Sequence, residues 1–384
     1  MGGLTYMMAN VVETCLRVLP IPTKTGLTAI GNPGRDAPVL LTGNFHLTVQ
    51  RVKRAVRELD LYLLVANSRG VNVWCAATGG LFTNHDVISV LKTSGIEELV
   101  DHRRFILPQL AATGIERKTV REKTGWRGIW GPVEARDIPG FLERNGTKTP
   151  DMREVDFPLV RRFEMAVAWA FPISAVLGLL LLLFWRTAIV PVTLLTWGLS
   201  FLIFLSFPLY SKWLNPKAGR IGLVLFDFGR GGIHLILLAA VLAGLILTGV
   251  VTDSLSWGFV LRWGIISSVV IILVSIDLMG STPVYKSGLH KDRLLEVVLD
   301  EGKCKGAGFC EQVCPRNCYE VDRERHVATR PRADLCVQCG ACIVQCPFDA
   351  LFFEAPGGEM IPPETIRKFK LNMMGKRAVT AGGK

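Results

Sequence analysis

Ten cysteines stand in 384 residues, and eight of them fall between Cys304 and Cys346. Cys336, Cys339, Cys342 and Cys346, the last followed by Pro347, read C-x2-C-x2-C-x3-C-P. That is the ligand run of a bacterial-type ferredoxin, in which soft thiolates hold iron. Moving back 32 residues lands on Cys304, Ala307, Cys310 and Cys314, again followed by proline. The module is therefore an internal duplication in which one ligand is missing. In two-cluster modules the fourth cysteine of each run ligates the other cluster. Cys336, Cys339, Cys342 and Cys314 are thus predicted to hold a 4Fe-4S cluster. Cys304, Cys310 and Cys346 remain for a second cluster with no thiolate at Ala307. Three thiolates suit a 3Fe-4S cluster, or a 4Fe-4S cluster with one iron open to an outside ligand. Cys318 is spare, since its repeat partner is Ala350; it is either a free thiol or a substitute fourth ligand.

A ninth cysteine, Cys75, lies in Asn72-Val73-Trp74-Cys75-Ala76-Ala77-Thr78-Gly79-Gly80. A thiol at a strand-to-helix turn lies near backbone N–H groups and the positive end of a helix dipole. Its thiolate is favoured there and can serve as a nucleophile or a soft metal ligand. A cysteine beside a tryptophan also reads as a small buried hydrophobe.

The elements that must position these thiols follow from periodicity. From Pro38 short apolar runs alternate with amphipathic segments: strands at Pro38 to Leu41, Leu61 to Asn67, Arg104 to Leu107 and Gly128 to Trp130, and helices at Leu47 to Glu58, Asn84 to Thr93, Glu116 to Thr124 and Ala135 to Arg144. Such alternation predicts an α/β domain over 38–150 with a mostly parallel sheet, whose ligands sit at the carboxyl ends of the strands. Residues 1–37 read as an N-terminal arm with a short helix at Ala9 to Val18. The ferredoxin is predicted as an α+β domain over 299–355, after a linker at 281–298 and before a basic tail at 356–384.

Between these domains four runs, about 165–185, 188–210, 233–251 and 258–278, carry almost no charge. Each has roughly the 20 residues that cross a bilayer as a helix, which predicts a four-helix transmembrane domain over 160–280. Trp169, Trp185, Trp197, Trp213, Trp257 and Trp263 mostly mark span ends, and Ala240, Gly244 and Thr248 form a small-residue stripe suited to helix packing. Arg161, Arg162, Lys212, Lys217, Arg220, Arg230, Lys286, Lys291 and Arg293 lie before the first span, between the second and third, and after the fourth. By the positive-inside rule both termini and both soluble domains are cytoplasmic, at the cell membrane. No proton or ion relay is visible in the spans, so they read as an anchor or docking platform.

The net charge of +11 and 49% hydrophobic content, with a positive mean hydropathy, fit basic loops facing anionic lipid. Nucleic acid is excluded as a partner, because no basic stretch is interleaved with aromatics in a recognisable motif. The cysteine spacing excludes a disulfide framework and points to a reducing compartment. Met1 to Pro20 lacks a basic start and carries Glu13 among its apolar residues, so it does not read as a cleaved signal peptide.

The run Asn72 to Ala77 resembles the cap helix of the cobalamin-binding domain of mercury-methylating corrinoid proteins, distant relatives of the corrinoid iron-sulfur proteins of acetyl-CoA synthesis. That helix reads Asn-Val/Ile-Trp-Cys-Ala-Ala/Gly-Gly-Lys. The likeness extends through Pro38 to Pro139, including Val71 and His102 to Leu110. It implies a corrinoid (cobalamin) cofactor contacted by Asn72, Val73, Trp74, Cys75, Ala76 and Ala77, with the Cys75 thiolate on cobalt. It further implies a corrinoid-dependent methyltransferase, served by a methyl-donor protein or methyl-folate system and a low-potential electron donor, with Hg(II) or another soft electrophile as acceptor. The fused ferredoxin would reduce cobalt. Two departures stand out: Thr78-Gly79 replaces Gly-Lys, and Arg377 to Lys384 lack the cysteine pair that ends the companion ferredoxins. Two other readings are a membrane-bound ferredoxin-type electron-transfer subunit, which predicts iron without cobalt, and a corrinoid carrier, which predicts cobalt without turnover.

Overall fold

The computed structural model describes residues 3–211, 233–275, 295–355 and 357–369. The basic residues expected at Lys212 to Arg230 and Lys286 to Arg293, most of the linker at 281–298, and most of the tail fall outside them. Two compact units emerge, one drawing on Met1–Val18 and Asp156–Leu294, the other on Leu19–Val155 and Leu295–Lys384.

In the second unit, five strands form one sheet: β1 (Gly26–Ile30), β2 (Val39–Gly43), β3 (Leu61–Ala66), β4 (Arg104–Leu107) and β5 (Arg127–Trp130), in the order β1-β3-β2-β4-β5. β2 to β5 are parallel, and β1 pairs antiparallel with β3 at the edge. The sheet thus starts before the expected boundary at Pro38, and part of the predicted arm is its edge strand. β2 and β3 are buried along their whole length, as strands covered on both faces must be. The helices of this domain are α2 (His46–Ala55), α3 (Val73–Gly79), α4 (Asn84–Thr93), α5 (Ile96–Leu99), α6 (Arg117–Thr124), α7 (Ile138–Glu143) and α8 (Pro150–Arg153). The chain leaves β2 for β3 on one side and returns to β4 on the other, so the strand order switches beside β2. A 3-10 turn, Gln109–Thr113, follows β4 at this switch.

The other unit opens with α1 (Gly3–Cys15), longer at its start than the expected helix and packed on α9 (Leu159–Phe184). Arg17 pairs with Glu164 at 3.4 Å. α10 (Ile189–Leu205), α11 (Phe207–Tyr210), α12 (Ile233–Val251) and α13 (Trp257–Ser275) complete it. Three helical segments, Leu159–Phe184, Arg186–Leu205 and Trp257–Val274, are long and apolar enough to cross a membrane, by length and composition; α12 contributes the shorter apolar run Leu235–Val251. A four-helix transmembrane domain is therefore not established. α9 and α10 meet at Ala166, and Ala166 and Ala170 are both fully buried. The Ser200 hydroxyl donates to the Ala166 carbonyl at 2.8 Å. The Arg162 guanidinium caps the end of α10 by donating to Leu205 O at 2.8 Å. Arg262, an expected edge charge, lies over the Trp185 ring at 5.2 Å. The predicted packing stripe is corrected: Ala240, Gly244 and Thr248 are exposed. Close packing falls instead to Gly264, where a Cβ would stand 2.8 Å from Leu242.

The ferredoxin module comprises β6 (Glu296–Leu299), α14 (Phe309–Val313), β7 (Glu320–Asp322), β8 (Val327–Thr329), α15 (Ala341–Gln345), β9 (Leu351–Glu354), β10 (Met360–Ile361) and α16 (Pro363–Phe369). It runs beyond the expected end at residue 355: β10 pairs with β9, and β9 with β6.

Candidate functional site

Three groups of thiols emerge, two in the ferredoxin module and one in the α/β domain. Cys314, Cys336, Cys339 and Cys342 line one space of about 290 Å3, partly open to solvent. Cys304, Cys310 and Cys346 line another of about 340 Å3, together with Ala307. Cys314 therefore lies with the Cys336 run, and Cys346 with Cys304 and Cys310. Cys318 lines the first space and not the second. Ala307 lines the second space, which Cys318 does not.

Both spaces have the chemistry of iron-sulfur sites. Among the described residues no three His, Cys, Asp or Glu side chains converge tightly enough to hold a single metal ion. Thiols spread around a space are what a cluster needs, because each binds a different iron. Donors point at the sulfurs, which stabilises thiolates and tunes potential. Cys318 N–H donates to Cys314 Sγ at 3.3 Å, Gln338 N–H to Cys336 Sγ at 3.4 Å, and Ala328 N–H to Cys304 Sγ at 3.4 Å. The Tyr319 hydroxyl donates to Cys342 Sγ at 3.2 Å. Burial first, and Cys342 second, holds the Tyr319 phenol well above its ordinary value, so it stays a donor. A hydrogen bond from Cys318 lowers the Cys314 thiol, and the same contact raises Cys318. Burial pushes the Cys310 thiol up to about 12 and Cys342 well above the ordinary thiol range. Bare thiolates are costly in such places, and iron compensates for that cost.

Cys75 is the third residue of α3 and half-buried. The Asn72 side chain caps the helix, accepting from Cys75 N–H at 3.0 Å. Of the residues expected to contact a cofactor, Val73, Ala76 and Ala77 are buried in the α/β core. They fasten the helix, while Trp74 and Cys75 remain partly accessible. Sequence reasoning missed the residues that aim α3. Asn44, at the end of β2, accepts through Oδ1 from Ser68 N–H at 2.8 Å and Gly70 N–H at 3.0 Å. Ser68 Oγ donates to Val71 O at 2.8 Å. Gly70 has φ +69, and a Cβ there would meet Pro22 N at 2.6 Å, so only glycine closes this loop. The one legible signal was a Gly-Asn pair ending a strand.

The α/β domain and the ferredoxin share one core. Val313, Val337, Cys339 and Ala341 are buried in the cluster that contains Ala76, Ala77, Ala111 and Ala112. The 3-10 turn contacts α3 on one side and α15 on the other. Thr78 Oγ1 lies 3.4 Å from Thr113 Oγ1. A Cβ at Gly114 would stand 2.8 Å from Ala77 O. Gln345 Nε2 donates to Ala112 O at 2.8 Å and Ile115 O at 2.6 Å. Gln109, buried, donates to Arg153 O at 2.9 Å. Lys148 bridges Gln109 Oε1 at 2.5 Å and Gln312 O at 2.9 Å. Burial first, then Arg153 and Arg117, pulls the Lys148 ammonium down to about 7. Val155 N–H donates to Pro315 O at 2.8 Å, and Arg316 donates to Val155 O.

Residues 8–142 match the CO dehydrogenase/acetyl-CoA synthase delta subunit family, and residues 331–352 match the 4Fe-4S binding domain. The chain is similar to the gamma subunit of the acetyl-CoA decarbonylase/synthase complex of Archaeoglobus fulgidus, 37% identical over 128 residues, which cover 33% of this chain and 27% of that one. The gamma subunits of Methanopyrus kandleri and Methanocaldococcus jannaschii are 35% identical over 129 residues and 34% over 131, covering 33% and 34% of this chain and 28% and 26% of theirs. The chain spans about a quarter of the length of the curated relatives it matches. These matches correct the resemblance to mercury-methylating corrinoid proteins: they point to the acetyl-CoA synthase side. The matched region, residues 8–142, covers the whole stretch on which that resemblance rested. Of the six residues Asn72 to Ala77, one is a helix cap and three pack in the core.

Proposed function

We propose that this chain is a corrinoid iron-sulfur methyl-transfer protein in which the ferredoxin delivers electrons to a corrinoid held at α3. The observation that carries the reading is the shared core, in which the Cys339 loop and α15 reach α3 through a single 3-10 turn. Such packing keeps donor and acceptor in one body, where a separate ferredoxin would have to be recruited. A corrinoid, when bound, supplies a cobalt centre that accepts and passes on a methyl group once reduced. Trp74 and Cys75 would hold it, Cys75 offering a soft thiolate. The fit rests on their half-buried position after β3, at the carboxyl end where such sheets take ligands. Asn72, Asn44 and Ser68 orient that end of α3. Complexes named for the similar gamma subunits suggest protein partners: a methyl-donor protein or methyl-folate system, and a low-potential donor feeding the clusters. The apolar helices would place the chain at a membrane, with both soluble domains on the cytoplasmic side.

The burial of Val73, Ala76 and Ala77 favours one other reading, a membrane-bound electron-transfer subunit with no corrinoid. Metal analysis and an optical spectrum of the anaerobically purified full chain separate the two. Cobalt and iron together are expected, and Cys75→Ala should abolish the thiolate-cobalt bands while the iron-sulfur signals persist. Iron without cobalt, after growth with added cobalamin, would leave the electron-transfer reading.

A further inference from the structure

The two halves of the ferredoxin can be laid over each other residue by residue. α14 and α15 are each five residues long and begin 32 residues apart. Their N-caps are Gly308 (φ 75, ψ 2) and Gly340 (φ 76, ψ 1), and their C-caps are Cys314 (φ −69, ψ 117) and Cys346 (φ −69, ψ 118). Gly306 (φ 62) matches Gln338 (φ 54), and Asn317 (φ 48) matches Asp349 (φ 54). A left-handed Gln, Asn or Asp costs backbone energy and persists only where the surroundings impose it. The ligand loop at 304–310 therefore keeps the conformation of its counterpart, and Ala307 sits in the register of Cys339. Its sulfur alone is missing.

Among the described residues, nothing in the second space replaces it. Apart from Cys304, Cys310 and Cys346, the lining side chains are apolar except Lys305, and an ammonium has no lone pair to offer iron. Among the described residues no carboxylate, imidazole or hydroxyl side chain lines the space, and Cys318 stands at the other site.

We propose that the Cys304, Cys310 and Cys346 site is a four-ligand cradle lacking one sulfur, and that it carries a three-iron cluster which takes up Fe(II) at the vacant corner when reduced. One-electron reduction, by dithionite in the test, leaves a neutral Fe3S4 core. That core binds Fe(II) to form an Fe4S4 core carrying both positive charges of the ion, with no further electron transferred, and water completes the added iron. The inference concerns the ferredoxin alone and is independent of any corrinoid.

The test is electron paramagnetic resonance of the anaerobically purified full chain, mildly oxidised with ferricyanide. The expected result is the spin-half signal of an oxidised three-iron cluster. Dithionite alone should convert it to the integer-spin signal of the reduced three-iron core, which added Fe(II) should then remove; in Ala307→Cys the oxidised signal should be absent and the iron content should rise to that of two four-iron clusters. Cys318→Ser should leave the signal in place. Two four-iron clusters in the unmodified oxidised chain, an empty second site, or loss of the signal in Cys318→Ser would each overturn the proposal. Should Ala307→Cys fail to fold, the Fe(II) titration of the unmodified chain decides. Cobalt signals are read separately, so this outcome and that of the corrinoid reading stay distinct.

Discussion

Cys75 and the ferredoxin cysteines are thiols beside short helices, yet their surroundings differ in kind. Around the clusters, sulfurs converge from several segments on one space, N–H and O–H donors point at them, and neighbours bury them. Such sites are incomplete without metal, because their thiolates are otherwise penalised by burial. Cys75 is single and half-buried, and its own N–H is engaged by the Asn72 cap. Its fold completes itself without a ligand. The difference teaches that iron is part of what holds the ferredoxin together, whereas a corrinoid would dock on a finished α/β surface.

The largest expected effect tests this contrast directly. Cys314→Ser should remove the four-iron cluster of the Cys336 run, because Cys314 crosses over to it. It should also destabilise the module by on the order of 3–5 kcal/mol, the size of effect seen when one partner of a buried ionic site is deleted. Cys75→Ser should leave iron content and the denaturation midpoint unchanged. Acid should act on the same side of the comparison. The apo Cys310 thiol holds its proton up to about 12, and the iron-bound sulfur holds none. Cluster retention must therefore weaken as pH falls, while the α/β domain shows no such loss. Equal sensitivity of both variants, read by iron analysis and urea denaturation, would erase the distinction.

Much of this contrast was legible in the chain. The 32-residue repeat of cysteines predicts Cys314 beside the Cys336 run, whose space it lines, and the α/β periodicity located most helices and strands. The misses have physical causes. β1, Gly26-Leu27-Thr28-Ala29-Ile30, is only half-buried at a sheet edge, so it lacks a continuous apolar run. β10 is the counterpart of β8 in the 32-residue repeat, but the tail after Leu351 has too little hydrophobic period to show it. The stripe Ala240, Gly244, Thr248 had the right spacing, but small residues serve packing only where a partner helix lies, and here it lies on the Leu242 side. The contacts of Asn44, Gln109, Lys148 and Gln345 span tens to hundreds of positions, and no local pattern announces such pairs.

A middle-sized effect probes the seam between the two regions. Gln345 reaches from the ferredoxin to the carbonyls of Ala112 and Ile115, both in fully buried residues. Gln345→Leu keeps the volume and leaves both acceptors without this donor, which costs about 1–3 kcal/mol. Hydrogen exchange should show faster opening of Gln109–Thr113 and α15, with both clusters retained. If exchange quickens only within the ferredoxin, the two regions are not energetically joined there.

The smallest expected effect lies at Cys75 itself. Asn72 accepts from Cys75 N–H, and α3 has only seven residues, too short to hold its shape by propensity alone. Its shape therefore depends on this cap, on the buried Val73, Ala76 and Ala77, and on the Asn44 loop behind it. Asn72→Ala should cost about 1 kcal/mol, the usual value of an N-cap, while Asn72→Ser or Asn72→Asp should restore most of it. Because the cap is local, iron content should not change, but the thiol should react faster with an alkylating reagent as α3 frays. Mass spectrometry of timed alkylation on the cluster-loaded chain measures this at Cys75, the ferredoxin ligand thiols being covered by iron and Cys318 buried. An unchanged rate at Cys75 would mean that core packing alone fixes α3, and that the docking surface is as rigid as the cluster sites it was contrasted with.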